Sequence, residues 1–151
     1  MKRIFVGWLM LAVLVTVGDS AFALGGKDSK KSLYDRIGGS DGIGKIFDEV
    51  GGRMAADPLL AKFFQGQSQE ALLTQRTRAV EFLCRETGGS CAYSGRPLKT
   101  AHGSLAITEA QWKAFLKHVS DTLDNQKVGA KEKSEFLATV KKFKSDVVSK
   151  K

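Results

Sequence analysis

The amino-acid sequence predicts an all-α domain, and three observations carry that prediction. Apolar residues recur at the three- and four-residue intervals of an amphipathic helix along most of the chain. Only two prolines interrupt its 151 residues, so few positions forbid a helix. No stretch keeps the two-residue alternation of a half-buried strand. The length fits one domain, and a hydrophobic content of 42% supplies a core.

Each element follows from local signals. Leu24 to Lys31 is rich in Gly, Lys and Ser and reads as a flexible leader to a domain spanning residues 32–151. Ser32 caps a short helix, Leu33 to Ile37, which Gly38-Gly39 ends. A second helix starts near Ser40 or Asp41 and carries Ile43, Ile46, Phe47, Val50 and Met54 on one face. Asp57-Pro58 reads as a cap followed by proline at the first helical position. That short turn ends at Phe63-Phe64, and Gln65 to Gln69 is a polar loop.

A longer helix is expected from about Gln69 to Thr87, with Leu72, Leu73, Val80, Phe82 and Leu83 as its apolar residues. Gly88 to Arg96 is a loop. Pro97 to His102 makes one or two helical turns. Thr108-Glu109-Ala110-Gln111 has the form of a capping box. The helix behind it places Trp112, Phe115, Leu116, Val119 and Leu123 on one side. Gly129 separates it from a last helix with Phe136, Leu137, Val140, Phe143 and Val147.

The N-terminus has the form of a targeting segment. Lys2 and Arg3 precede an apolar stretch from Ile4 to Val17, and Ala21-Phe22-Ala23 fits the small-residue cleavage pattern. The stretch is shorter than the ~20 residues of a spanning helix. Residues 1–23 are therefore expected to be a signal peptide, the alternative being an uncleaved anchor. No stable membrane anchor is expected after cleavage, and the protein is expected to be exported, periplasmic or secreted. Removing residues 1–23 takes away Lys2, Arg3 and Asp19, so the formal charge falls from +8 to +7.

A basic chain raises the question of nucleic acid. Here the basic residues are dispersed, the tightest group being Lys141, Lys142 and Lys144, and no recognition motif accompanies them. A solvated face is the expected reading, with no nucleic-acid partner.

Export bears on the only two cysteines, Cys84 and Cys91. On one continuous helix their Cα atoms would lie about 10 Å apart, too far to bridge. Gly88-Gly89 between them lets the chain fold back, and an oxidising compartment favours a disulfide. The alternative is two reduced thiols. Their spacing does not match covalent haem attachment.

Histidines are the other scarce chemistry: His102 and His118. Zinc-finger spacing is absent. His102 ends a short segment after a glycine-rich loop and precedes a capped helix, a position suited to an iron ligand. The alternative is a surface or hydrogen-bonded core histidine. His118 is expected to be structural or at the surface.

Three segments together carry a resemblance. "LYDRIGG", "AADPLLAKFF" and "GGSCAYSGRPLKTAHGSLAIT" are similar to the opening helix, the segment leading to the haem-contacting phenylalanine, and the signature loop of group I truncated haemoglobins. The likeness runs from Leu33 to Val148. It implies a two-on-two helical sandwich around one b-type haem, with His102 as the proximal ligand to its single iron. It further implies that Phe64 stacks on the haem with Phe63 beside it, and that Tyr93 lies near the haem edge. Arg96 and Lys99 fall where basic residues pair with propionates. Trp112 and Phe115 match the apolar wall after the ligand.

The departures concern the distal side. The family's second-helix tyrosine falls on Gly51, and its distal-helix glutamine falls on Ala79. Gln75 and Arg78 fall on other distal positions. The resemblance then implies five-coordinate or water-bound iron with fewer donors than usual. Binding of oxygen or another diatomic gas such as nitric oxide or carbon monoxide is the expected function. The alternatives are a haem-dependent oxidoreductase acting on nitric oxide or peroxide, with an unknown electron donor, and a haem-free helical interaction module.

Overall fold

Seven α-helices and two 3₁₀ turns make up residues 31–149, the part of the chain that the computed structural model describes. The expected signal peptide, and the leader up to residue 30, lie outside the described residues. Helix α1 (Leu33–Arg36) leads into α2 (Gly39–Ala56), a 3₁₀ turn (Ala61–Phe63) and α3 (Gln69–Glu86). After a long loop come α4 (Leu98–His102), a second 3₁₀ turn (Gly103–Leu105), α5 (Glu109–Asn125), α6 (Ala130–Lys141) and α7 (Lys144–Val147). No strand occurs among the described residues.

The helix starts follow their caps. Ser32 and Asp35 form a reciprocal capping box at α1. Ser68 accepts a hydrogen bond from the Ala71 amide at α3, and Thr108 with Gln111 closes the box expected at α5. Each cap satisfies amides that the first turn leaves without partners. Asp57 behaves differently from expectation. It follows α2, and its carboxylate accepts from the Leu59 amide at 2.8 Å. Pro58 therefore sits in a turn before the 3₁₀ segment rather than at the first position of an α-helix.

The end of α3 explains how the two cysteines meet. Gly88 adopts φ +94°. Its amide donates to the Arg85 carbonyl at 3.2 Å, and the Gly89 amide donates to the Cys84 carbonyl at 2.8 Å. This is a Schellman ending, which needs a left-handed residue. The chain then doubles back, and Cys84 and Cys91 form a disulfide with Cα atoms 5.9 Å apart.

Two apolar residues stand exposed, and one expectation is corrected. Leu72 and Leu73 are 36% and 56% exposed. They lie in the first five residues of α3, ahead of its buried residues Phe82 and Cys84. Helical periodicity marks a face, but only a neighbouring element can cover it. The final helix is also two helices, because the chain breaks between Lys141 and Lys144. Gly129 separates α5 from α6 as expected and caps α6 with ordinary φ, while the left-handed residue that ends α5 is Lys127, at φ +55°.

Helix α2 packs against both α3 and α5, and α5 packs against α6. The core between them contains Ile43, Ile46, Val50, Cys84, Trp112, Val119, Leu123 and Phe136. Burying such side chains contributes roughly 1.5–3 kcal/mol each. Arg36 of α1 pairs with Glu132 at 2.9 Å and with Glu135, joining the first helix to α6. The structure has the two-on-two helical arrangement expected from the resemblance.

Candidate functional site

A cavity of about 820 Å³ opens between these layers, within the range of cofactor sites. Its walls come from α2, the first 3₁₀ turn, α3, the loop before α4, α4 itself, the second 3₁₀ turn, α5, α6 and α7. Helix α2 contributes Phe47, Gly51 and Met54, and α5 contributes Trp112 and Phe115. Trp112 and Phe115 stand with ring centroids 5.4 Å apart. Trp112 is only 4% exposed, so it serves the core and the cavity together.

His102 lines this cavity from the end of α4. Its Nδ1 lies 2.9 Å from the Leu98 carbonyl oxygen, one turn back on the same helix. A carbonyl can only accept, so Nδ1 carries the proton in this bond. In the neutral ring the lone pair is then on Nε2, the arrangement by which ligating histidines are commonly oriented.

Most of the site residues expected from the sequence meet here. Phe63 and Phe64 line the cavity from the 3₁₀ turn, and Gln75, Arg78 and Ala79 line it from α3. Tyr93 and Arg96 line it from the loop. Lys99 is the exception, since it does not line the cavity. On so short a helix Leu98, Ala101 and His102 share the cavity face at i, i+3 and i+4. Lys99 is rotated about 100° from Leu98 and is exposed.

The loop owes its shape to a close approach. The Tyr93 hydroxyl donates to the Arg96 carbonyl at 2.6 Å. A Cβ at Gly95 would meet that hydroxyl at 2.3 Å, so only glycine fits beneath the ring. The loop is pinned to α3 by Glu81, whose carboxylate accepts from the Ser94 amide at 3.2 Å and hydroxyl at 2.9 Å. Those two bonds hold the Glu81 carboxyl below the ordinary carboxylate range, with the charge of Arg78 adding to them.

The polar groups of the expected distal wall are committed elsewhere. Arg78 pairs with Glu81 at 3.2 Å. The Gln75 amide donates to Oε1 of Gln67, and Gln67 in turn donates to the Phe63 carbonyl at 2.6 Å. Gln67 lines the cavity and was not singled out by sequence reasoning. Its spacing of four from Phe63 was the available signal, but a polar loop offers five residues that all look alike. At Gly51 a Cβ would meet nothing within 4 Å, so this wall has room and no donor.

The donor set tests what the cavity suits. Among the described residues, no three His, Cys, Asp or Glu side chains gather as a multi-ligand metal site. The cavity instead offers one imidazole, an aromatic and aliphatic lining, and Arg96 near solvent. That combination fits a flat, largely apolar group with one metal coordination position and acidic substituents. His118, by contrast, bonds Asp57 at 2.7 Å and is structural.

Comparison with known proteins agrees with this geometry. The family model described as bacterial-like globin matches residues 32–149. Group 1 truncated hemoglobin GlbN of Nostoc commune is 32% identical over 119 residues, 79% of this chain and 98% of its own length. Group 1 truncated hemoglobin LI410 of Chlamydomonas moewusii is 28% identical over 133 residues, 86% of this chain and 68% of its own. Among solved structures, THB1 of Chlamydomonas reinhardtii is 31% identical with a TM-score of 0.66, covering 78% of this chain and 97% of that one. The truncated hemoglobin of Tetrahymena pyriformis, at 19% identity and a TM-score of 0.72 over 80% of this chain and all of its own, shares the fold. This chain therefore belongs to the bacterial-like globin family, alongside the group 1 truncated haemoglobins, whose members bind a haem with one iron.

Proposed function

We propose that this protein holds one b-type haem through His102 and takes up a diatomic gas, oxygen or nitric oxide, in the space beside α2 and α3. When bound, the haem supplies the iron at which such a gas attaches. The observation that carries the reading is the His102–Leu98 bond at 2.9 Å in the wall of an aromatic cavity. It fixes the ring and leaves Nε2 as the nitrogen free to ligate.

The other side chains have separate roles. Phe63, Phe64, Trp112 and Phe115 exclude water from the faces of the group. Arg96 meets its acidic edge, where an arginine makes charge-assisted hydrogen bonds to carboxylates. Gly51 and Ala79 leave the gas site open and short of donors, which favours ligand binding over chemistry that requires proton delivery. The N-terminal segment and the Cys84–Cys91 pair support action outside the cytoplasm, in a periplasm or as a secreted protein.

The test is to reconstitute the mature protein and its His102→Ala variant with haem. The expected result is a strong Soret band in the first and its loss, or a large shift, in the second. Identical ferric and ferrous spectra would remove His102 as the ligand.

A further inference from the structure

Gln67 lies in the turn between the first 3₁₀ segment and α3, and nothing in the family likeness draws attention to it. Its carboxamide is oriented at both ends. Nε2 donates to the Phe63 carbonyl at 2.6 Å, which leaves Oε1 to accept from Nε2 of Gln75. The two glutamines, eight residues apart, thus join the turn to α3 along the wall of the cavity that both line. Gln75 is exposed and Gln67 half-buried, so the joint sits at the rim rather than deep inside.

Gln75 is the long neutral side chain on α3 with the reach to donate to a small ligand in the cavity. One N–H of its amide is used by Gln67, and turning the amide inward breaks that bond. The nearby alternatives are weak. Arg78 is engaged by Glu81, which Ser94 also holds. Gly51 and Ala79 have no donor, and Thr74, which also lines the cavity, carries its hydroxyl on a much shorter side chain than Gln75.

We propose that Gln67 is a positioning residue that sets ligand retention, by holding the Gln75 amide at the rim and away from the ligand. This rests on the haem reading above. It makes a prediction opposite to that of a merely structural contact: deleting the Gln67 side chain strengthens retention, because it releases Gln75 to turn inward.

The experiment uses ferrous holoprotein with oxygen and carbon monoxide as probes. Gln67→Ala is expected to slow oxygen release about threefold to tenfold, the effect of one net hydrogen bond. It is also expected to lower the carbon monoxide stretching frequency, since a donor near the ligand weakens its internal bond, and to shift the Gln75 side-chain amide resonances of the carbonmonoxy form. Combining Gln67→Ala with Gln75→Leu is expected to abolish the slowing. Unchanged or faster release in Gln67→Ala overturns the proposal, as does slowing that persists without Gln75. An unmodified protein with no Soret band after reconstitution defeats the haem reading itself, whereas intact Soret bands with unaltered release defeat only the role of Gln67.

Discussion

His118 Nε2 lies 2.7 Å from Asp57 Oδ2, and this bond ties the middle of α5 to the residue that ends α2. It holds the Asp57 carboxyl below its ordinary value of 3.8, with the Leu59 amide adding to it. A carboxyl lowered in the folded state gives stability that is complete above its unfolded pKa and lost as pH falls through the folded one. Asp57→Asn is therefore expected to lower the melting temperature at neutral pH, with the gap to the unmodified protein closing below about pH 4. A gap independent of pH would assign the effect to something other than this ionisation. His118→Ala is expected to keep the Soret band, which separates the two histidines by role.

The Cys84–Cys91 bridge closes a short ring between the end of α3 and the loop that carries Tyr93 and Arg96. Replacing both cysteines by serine is expected to lower stability by roughly 2 kcal/mol, read by chemical denaturation, with haem still bound. Intact mass before and after reduction and alkylation reports the bridge directly; two free thiols in protein from an oxidising compartment would defeat the expectation.

Gly51 faces the cavity with open space where a Cβ would stand. Gly51→Tyr is expected to fit and to place a hydroxyl donor on a wall that lacks one. Oxygen gains negative charge on binding ferrous iron, so the donor should slow its release about tenfold, equivalent to roughly 1.4 kcal/mol. Carbon monoxide, less polar when bound, should respond less. Stopped-flow release rates for the two gases decide this, and equal effects on both would point to simple obstruction.

Lys127 ends α5 at φ +55°, its amide bonded to the Asp124 carbonyl at 3.0 Å and the next amide, of Val128, to the Leu123 carbonyl at 2.9 Å. This is a glycine position occupied by a residue with a Cβ. Lys127→Gly removes strain on the order of 1 kcal/mol, part of which the freer unfolded chain offsets. A net gain of about 0.5 kcal/mol is expected, and none in Lys127→Ala, which keeps the left-handed Cβ. Urea denaturation of the three proteins tests it.

The helix starts at α1, α3 and α5 and the end of α3 were legible because their causes are local. Ser32, Ser68 and Thr108 each bond an amide within three residues, and Gly88 ends α3 through its own backbone. His102 stood out for a different reason: local position left a surface or core histidine open, and the resemblance of the segment around it marked it as the expected ligand. Lys99 stands one residue, about 100°, away from the cavity face of a helix of only five residues, a facing that spacing alone does not reveal. Leu72 and Leu73 are apolar yet exposed, because periodicity says nothing about whether a neighbour reaches that far along the helix.

The sequence by itself determined an all-helical chain and most of its caps and turns. Only the tertiary structure decided which polar groups remain free in the cavity. A glutamine or arginine has several partners within reach, and the choice depends on elements that meet only after folding. Gln75 is drawn to Gln67 because the turn after Phe63 docks beside α3. Arg78 meets Glu81 one turn away, and Glu81 is fixed in turn because the loop through Ser94 returns to the same helix. Caps are set by backbone geometry over three or four residues, whereas the commitment of a long polar side chain is set by whatever the fold brings to it.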